Sequence, residues 1–465
     1  MTSATSADPS ATPPQHVPFR LSVRTWCEVA LLSFGGPAAQ IGVMHRILVE
    51  RNRWIGEDRF LHALNYCMLL PGPEAQQLAT YIGWLLHGTR GGLVAGTLFI
   101  LPGFVSILTL SIVYVAWHDT PLVPALFFGL KAAVTAIVVE AVFRIGRRAL
   151  KHRVQVGLAT ASFIAIFFFD VPFPAILATS ALVGLAGGAR FPQWFPAARH
   201  GSGHSSDADA ATIYPVDRRA AVRQRPTVVG SLGTALLWSG LWWLPQGALA
   251  ATLGAGHVLV REGLFFSQTA VVTFGGAYSV LSYIAQRAVD DFHWLAPGEM
   301  LDGLGMAETT PGPLIMVVQF VGFLAASREP APFQPVAAGI AGSLVAVWVT
   351  FVPCFLWIFL GAPYIEALRR HAGLSRALSA VTAAVVGVIL NLACWFALNV
   401  VFHQVDAIRF GPLRLHAPAW TTFDPAALTL SVVAAYFLLV RKSNLFAVLA
   451  AITTAGFVYR IMIAG

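Results

Sequence analysis

Two glycine- and proline-rich motifs, each present twice, carry the residues best suited to bind an anion. The first is Gly35-Gly36-Pro37, which recurs as Gly275-Gly276, and the second is Pro71-Gly72-Pro73, which recurs as Pro311-Gly312-Pro313. In the second motif one proline ends a helix, the glycine permits a turn, and the other proline suits a new helix start. Each break would present free backbone N–H groups at the positive end of a helix dipole, a site for a tetrahedral oxyanion. The alternative is that each break is a simple kink.

Ionisable side chains in or beside apolar segments are further candidates, because burying them in a membrane is costly. Lys131 lies in an apolar run, where it could neutralise a dianion or pair with Glu140 or another buried acid. Glu74 and Glu308 flank the Pro-Gly-Pro motifs as candidates for proton coupling, although Glu74 also suits a first helical turn. Neutral hydrogen-bonding side chains complete the predicted substrate site: Gln76, Gln77, Thr309 and Thr310.

The segments around these residues are apolar enough to be membrane helices. Of the 465 residues, 57% are hydrophobic and only 11% are charged, which is too few charges for a soluble surface. Apolar runs of about 20 residues, the length that crosses a bilayer, recur along almost the whole chain. Gly91 to Trp117 and Ser379 to Phe402 are clear cases. We therefore predict an all-α polytopic membrane protein.

Other kinds of chemistry lack support in the sequence. The net charge of +8 comes from short basic clusters between apolar runs, which are typical of membrane orientation rather than nucleic-acid binding. The four cysteines are far apart and lie in apolar segments, so we expect neither a disulfide framework nor a metal site. The sequence contains no phosphate-binding loop and no zinc-hydrolase histidine pair. We expect no cofactor.

The sequence contains an internal duplication. The Phe-Gly-Gly motif, Trp54 and the Pro-Gly-Pro motif all recur at a separation of 240 residues. The ungapped alignment of residues 34–73 with 274–313 has ten identities, where chance gives about three. Downstream, residues 133–136 recur as 380–383, and Pro102 has a counterpart in Pro353. The whole membrane unit is therefore predicted to be duplicated.

The duplication predicts two halves in inverted orientation. The predicted parts are a disordered tail at 1–20, a first transmembrane repeat at 21–189, a cytoplasmic linker at 190–226, an extra transmembrane segment at 227–245 and a second repeat at 257–463. Each half has about six apolar segments, and the extra segment between them places the second half in the membrane in the opposite orientation. This is the arrangement of many secondary transporters. With a cytoplasmic N-terminus, most basic clusters then face the cytoplasm.

The arginines at positions 46, 51 and 53 would face outward if Leu21 to Arg46 crossed the membrane. We expect instead that the helices break at the Gly-Gly-Pro and Pro-Gly-Pro motifs into half-helices that form re-entrant hairpins. These arginines then lie on the cytoplasmic side. The predicted pieces are Leu21 to Phe34, Ala38 to Glu50, Phe60 to Leu70 and Glu74 to His87. Such breaks are tolerated at membrane depth only where they are buried or line a cavity.

The motifs resemble those of the chromate ion transporter family. Phe-Gly-Gly-Pro, a basic loop with Trp54, and Leu-Pro-Gly-Pro resemble its first half, and the repeated motifs resemble its second. The resemblance covers nearly all the chain after the tail and implies an exporter of chromate in the long form with two fused halves. Many members have His and Gln where this chain has Gln40 and Met68.

The resemblance implies a secondary transporter in a bacterial plasma membrane that exports chromate and confers chromate resistance. Its expected partners are chromate or a similar oxyanion and the lipid bilayer, and a homodimer is left open. A carrier of sulfate or another tetrahedral oxyanion is the main alternative, because chromate and sulfate are similar dianions. A membrane-embedded enzyme is the alternative from another class, but an enzyme need not be duplicated and inverted.

Overall fold

The structure is a computed structural model that describes residues 17–117, 120–191, 193–195, 228–274, 276–296, 298–362 and 372–464. The predicted tail and linker lie largely outside these ranges, and Gly275 lies outside them as well. The first half contains α1 Phe19–Leu32, α2 Gly36–His45, α3 Glu57–Cys67, α4 Glu74–Trp117, α5 Leu122–Ala149, α6 Arg153–Phe169 and α7 Phe173–Arg190. A connecting helix, α8 Val228–Leu253, follows.

The second half repeats this order of helices. It contains α9 Val258–Val272, α10 Ala277–Gln286, α11 Glu299–Thr309, α12 Val317–Arg328, α13 Pro335–Gly361, α14 Ala372–Val401, α15 Pro425–Ala435 and α16 Leu445–Ala464. A hairpin that the sequence did not predict, β1 Val405–Phe410 and β2 Leu413–Pro418, lies between α14 and α15. The other regular elements within the described ranges are helices, in agreement with the predicted fold class.

The broken helices of the first half have the predicted bounds to within three residues, except that α2 ends at His45, five residues before the predicted end at Glu50. Gly35 adopts a left-handed conformation before α2, and Pro37 occupies its first turn. The fourth predicted piece ends where α4 loses helical geometry at His87 and Gly88. The local residue preferences of glycine and proline thus set these helix ends.

Backbone geometry repeats in the two halves as the sequence motifs do. After α2 the chain forms a π-helical turn at Arg46–Arg51, and after α10 it forms another at Arg287–Asp291. The Trp54 N–H donates to the Leu48 carbonyl at 2.8 Å, and the Trp294 N–H donates to the Ala288 carbonyl at 2.8 Å. These donors and acceptors match at the 240-residue separation, so the duplication extends to hydrogen bonding.

Six described helices are long and apolar enough to cross a membrane, namely α4, α5 and α7 with their counterparts α13, α14 and α16. Helices α6 and α15 are shorter apolar segments. Helix α8 is not one of the six but has 26 residues without a charged side chain. Its role as a transmembrane segment stays a prediction. Many outward side chains are apolar, as Leu31, Leu182 and Leu236 illustrate, which suits contact with lipid.

The halves exchange helices with each other. Helix α5 of the first half packs against α15 and α16, and α14, its counterpart, packs against α6 and α7. Glycines permit these close approaches: a Cβ on Gly456 would collide with Gly129, and one on Gly184 would lie 2.7 Å from Ala380 Cβ. Neither half therefore has a separate core.

The contacts at the two ends of α4 show that the two hairpins of broken helices lie at opposite ends of this helix. Near its C-terminal end, Tyr114 donates a hydrogen bond to Asp302 at the start of α11, in the second half's hairpin. Near the break in α4, His87 contacts the Val17 carbonyl just before α1, in the first half's hairpin. The helical stretch between these ends rises about 1.5 Å per residue and is long enough to cross the hydrocarbon core. The two halves are therefore inverted.

The β-hairpin lies against the second half's re-entrant tip. Arg414 on β2 pairs with Asp290 at 2.8 Å and with Asp170 at 3.4 Å. Asp170 follows α6, so this cluster joins the first half, the second half and the hairpin on one face. The predicted orientation makes this face the outer one.

Cysteine labelling tests the orientation. Glu50 and Asp291 are exposed in the two re-entrant tips, one position apart in the alignment of the halves, and inversion puts Glu50→Cys and Asp291→Cys on opposite faces. We expect a membrane-impermeant maleimide added to intact cells to label Asp291→Cys, and to label Glu50→Cys only after permeabilisation. Pro412→Cys on the hairpin and Arg441→Cys after α15 serve as outer and inner controls. Labelling of both tips from one side would exclude the inverted arrangement.

Candidate functional site

The two Pro-Gly-Pro turns are held by the opposite half through a matched pair of hydrogen bonds. The Gly72 N–H donates to the Thr273 carbonyl at 2.8 Å, and the Gly312 N–H donates to the Ser33 carbonyl at 2.8 Å. Ser33 ends α1 and Thr273 ends α9, at equivalent positions of the repeat. Each Pro-Gly-Pro turn therefore contacts the Gly-Gly break of the opposite half, and the region of these two contacts is called the crossing below.

Both turn glycines adopt backbone conformations that favour glycine and lie against the other half. Gly72 has φ of +122° and Gly312 has φ of +114°. A Cβ on Gly72 would lie 2.8 Å from Cys354 Sγ, and a Cβ on Gly312 would lie 2.9 Å from Gly103 Cα. Cys354 and Gly103 each follow the proline within their helices, α13 and α4. Close approach of backbone to a proline-containing helix thus excludes a side chain at either turn.

The prediction that each break presents free N–H groups is wrong for the turn glycines. Both glycine amides are occupied by cross-half hydrogen bonds, and prolines have no N–H. The first turn of the following helix then remains as the source of backbone donors, because its N–H groups lack partners four residues earlier. Glu74 and Ala75 begin α4 and Leu314 begins the short turn before α12. The helix dipoles still favour an anion there.

Amide side chains brace the turns. Gln77 Nε2 donates to the Pro71 carbonyl at 2.7 Å, and Gln40 Nε2 donates to the Gly312 carbonyl at 2.6 Å. Gln76, which is fully buried, donates to Thr80 Oγ1 at 3.0 Å. The predicted residues Gln76 and Gln77 therefore lie at the crossing of the turns. Gln40 joins them, although the sequence marked it only as a departure from the family pattern.

The predicted polar residues of the second half have different surroundings. Glu308 is buried and accepts a short hydrogen bond from the Tyr278 hydroxyl. Thr310 is buried, but Thr309 is exposed and its hydroxyl donates to the Gly305 carbonyl of its own helix. Glu74 is partly buried at the first turn of α4.

Lys131 has a buried acid as its partner. Its Nζ lies 3.2 Å from Asp302 Oδ1, and Tyr114 donates to Asp302 Oδ2 at 3.0 Å. Glu140 instead pairs with Arg144 at 3.3 Å. The alternative that Lys131 pairs with a buried acid is therefore supported, with Asp302 in place of Glu140. The pair lies beside α11, about two turns of helix from Glu308.

Asp302 and Tyr278 are the polar residues at or near the site that the sequence analysis missed. Tyr278 corresponds to Ala38 and Asp302 to His62 in the alignment of the two halves. Both residues stand at positions where the two halves differ. The identities between the halves therefore gave no indication of them. A search for polar residues replacing apolar ones would have found Tyr278.

Comparisons with known proteins agree with the two-half organisation. The family model for chromate transporters matches residues 22–185 and 261–457. A chromate transport protein of Pseudomonas aeruginosa is 31% identical over 395 residues, which cover 83% of this chain and 82% of that protein. One of Cupriavidus metallidurans is 27% identical over 80% of each chain. An uncharacterized transporter of Bacillus subtilis is 31% identical over 29% of this chain and 68% of its own length. No solved structure matches.

Substitution of the turn glycines tests the crossing. Alanine at Gly72 or Gly312 imposes backbone strain of about 1–3 kcal/mol and collides with the opposite half, so we expect transport to be lost. Because a Cβ at Gly72 would lie 2.8 Å from the Cys354 and Gln77 side chains, adding Cys354→Ala to Gly72→Ala removes one of the two collisions and should restore part of the activity. The measurement is substrate uptake into vesicles, normalised to folded protein recovered in mild detergent.

Gly312→Ala combined with Cys354→Ala is the matched control. Its Cβ meets the Gly103 backbone, which no side-chain change relieves, so we expect no restoration. If the two turns form one site, the Gly72→Ala and Gly312→Ala changes together should be no worse than either alone. Additive partial losses would indicate independent kinks.

Removal of the Lys131 charge tests its structural role. Lys131→Met leaves Asp302 buried without its counter-charge, which costs about 3–5 kcal/mol, so less folded protein should be recovered. Lys131→Met with Asp302→Asn removes both charges and should restore both recovery and transport. The readouts are size-exclusion profiles in detergent and vesicle uptake. A well-folded double variant without transport would instead make Lys131 a substrate ligand.

Proposed function

The chain belongs to the chromate transporter family, and from that premise we propose that it is a secondary transporter that exports chromate across a bacterial plasma membrane and confers chromate resistance. The observation that carries the proposal is the crossing of the two Pro-Gly-Pro turns between inverted halves. Helix breaks at membrane depth are tolerated where they line a substrate path. In inverted-repeat transporters the substrate site lies near the midplane between the repeats.

The proposed substrate site surrounds this crossing. The first turns of the helices after each break supply N–H donors and positive dipole ends for a tetrahedral dianion. The Gln77 and Gln40 amides fix the turn carbonyls, so that those helix ends keep their positions. Glu74 and Glu308 remain the candidates for coupling to protons. The sequence has no phosphate-binding loop, so we propose an ion gradient or the membrane potential as the energy source.

Transport of sulfate or another tetrahedral oxyanion is the alternative within the same class. The proposed site recognises charge and tetrahedral shape through backbone donors, and both anions have these features. A membrane-embedded enzyme has less support, because the relatives named above are transport proteins and the site lies between two inverted units.

Uptake into inverted membrane vesicles tests the proposal. Because inversion converts export into uptake, vesicles should accumulate labelled chromate above the level of matched vesicles that contain Gly312→Val. Dissipation of the membrane potential or the proton gradient should reduce the accumulation. Chromate uptake equal to that of the control would contradict the proposal. Sulfate uptake without chromate uptake would support the alternative substrate.

A further inference from the structure

The two halves differ at the crossing in a pair of residues that contact each other. Tyr278 and Glu308 of the second half stand where the first half has Ala38 and Met68. The Tyr278 hydroxyl donates to Glu308 Oε1, between α10 and α11. Both members of one hydrogen-bonded pair are therefore present in one half, and both are replaced by apolar residues in the other.

The second carboxylate oxygen of Glu308 is buried without a hydrogen-bond donor in the described part of the chain. Glu308 is 1% exposed, and its Oε2 has no hydrogen-bond partner among the described residues. Gln40 Oε1, on the amide that braces the Gly312 carbonyl, is also buried and unpartnered within the described part of the chain. Glu308 lies four residues before Gly312. Two buried acceptor oxygens thus flank the turn where the oxyanion is proposed to bind.

Glu308 has no counter-ion of its own among its described neighbours. The charged groups that face it from α5 are Arg144 and Glu140, and these pair with each other at 3.3 Å. Tyr278 on α10 supplies a neutral hydrogen bond. A buried carboxylate without a paired cation is costly, so Glu308 either holds a proton or shares one with a bound ligand.

A shared proton has consequences for substrate choice. A fully ionised tetrahedral dianion offers only acceptor oxygens, so it cannot satisfy Glu308 Oε2 unless one hydrogen lies between them. Hydrogen chromate releases its last proton near neutral pH, whereas hydrogen sulfate keeps its proton only in strong acid and is fully ionised near neutral pH. Near neutral pH, chromate is therefore a far better partner than sulfate for a proton held between two oxygens.

We propose that Glu308, positioned by Tyr278, shares one proton with the bound oxyanion and thereby selects chromate-like oxyanions over sulfate. The proton lies between Glu308 Oε2 and one oxyanion oxygen, and no other bond is made or broken. A neutral carboxylic acid that donates a hydrogen bond to a developing or bound oxyanion is a known use of a buried acid. This inference rests on the proposed function and names the specificity residue of its site.

Glu308→Gln tests the inference by competition between sulfate and labelled chromate in inverted vesicles. The glutamine amide donates its own N–H without needing a shared proton, so it serves both anions alike. We expect the sulfate concentration that halves chromate uptake to fall by about tenfold or more, the value of a charge-assisted hydrogen bond. The dependence of this competition on pH should flatten. An unchanged competition ratio and pH profile would overturn the inference.

Two further variants keep the test decisive. Tyr278→Phe retains the acid but removes the hydrogen bond that positions it, so the competition should shift in the same direction by a smaller factor. Glu262→Gln is the matched control: Glu262 on α9 is also fully buried with both oxygens unpartnered among the described residues, and it should keep the wild-type ratio. A loss of discrimination in Glu262→Gln equal to that in Glu308→Gln would also overturn the inference. A wild-type protein that carries no chromate would contradict the proposed function itself.

Discussion

The structure depends on one requirement: a helix broken inside a membrane leaves backbone groups that neither water nor lipid can satisfy. Here each half satisfies the other, because the Gly72 N–H bonds to the Thr273 carbonyl and the Gly312 N–H bonds to the Ser33 carbonyl. A buried N–H without a partner costs about 1–3 kcal/mol. The breaks are therefore stable only when both halves are present and in register.

The exchange of helices between the halves follows from the same requirement. The helices that follow the two turns, α4 in one half and α12 with α13 in the other, pack against each other, and the next helices, α5 and α14, pack against helices of the opposite half. Gly129, Gly184 and Gly456 allow these crossings at backbone contact distance. The Pro102 and Pro353 helices then pass directly behind the opposite turn. Both halves therefore hold the backbone of each turn, and the differences between the halves at this place lie in the side chains.

The sequence predicted features that local residue properties determine. Glycine and proline act on the backbone where they stand, so the half-helices, their ends and the duplicated unit could be placed closely from the motifs alone. Contacts between distant segments could not be placed in this way. The partner of Lys131 was open until Asp302 was found 3.2 Å away, and the Gly72 and Gly312 amides were expected to be free. The β-hairpin, with β1 largely exposed and β2 half-buried, has no counterpart among the described residues of the first half, so the repeat gave no indication of it.

The two halves share their backbone contacts but differ in a few buried polar side chains. A duplicated and inverted unit needs symmetric backbone contacts to hold its two turns together, and the matched hydrogen bonds are symmetric. Nothing in that requirement needs a carboxyl group at Glu308, whose counterpart is Met68, or an amide at Gln40, whose counterpart is Val280. Both side chains are buried beside the same turn, where an uncompensated polar group destabilises the fold. The Gln40 amide still braces the Gly312 carbonyl, whereas the free oxygen of Glu308 has no such role, and this difference supports the proposal that Glu308 serves the ligand.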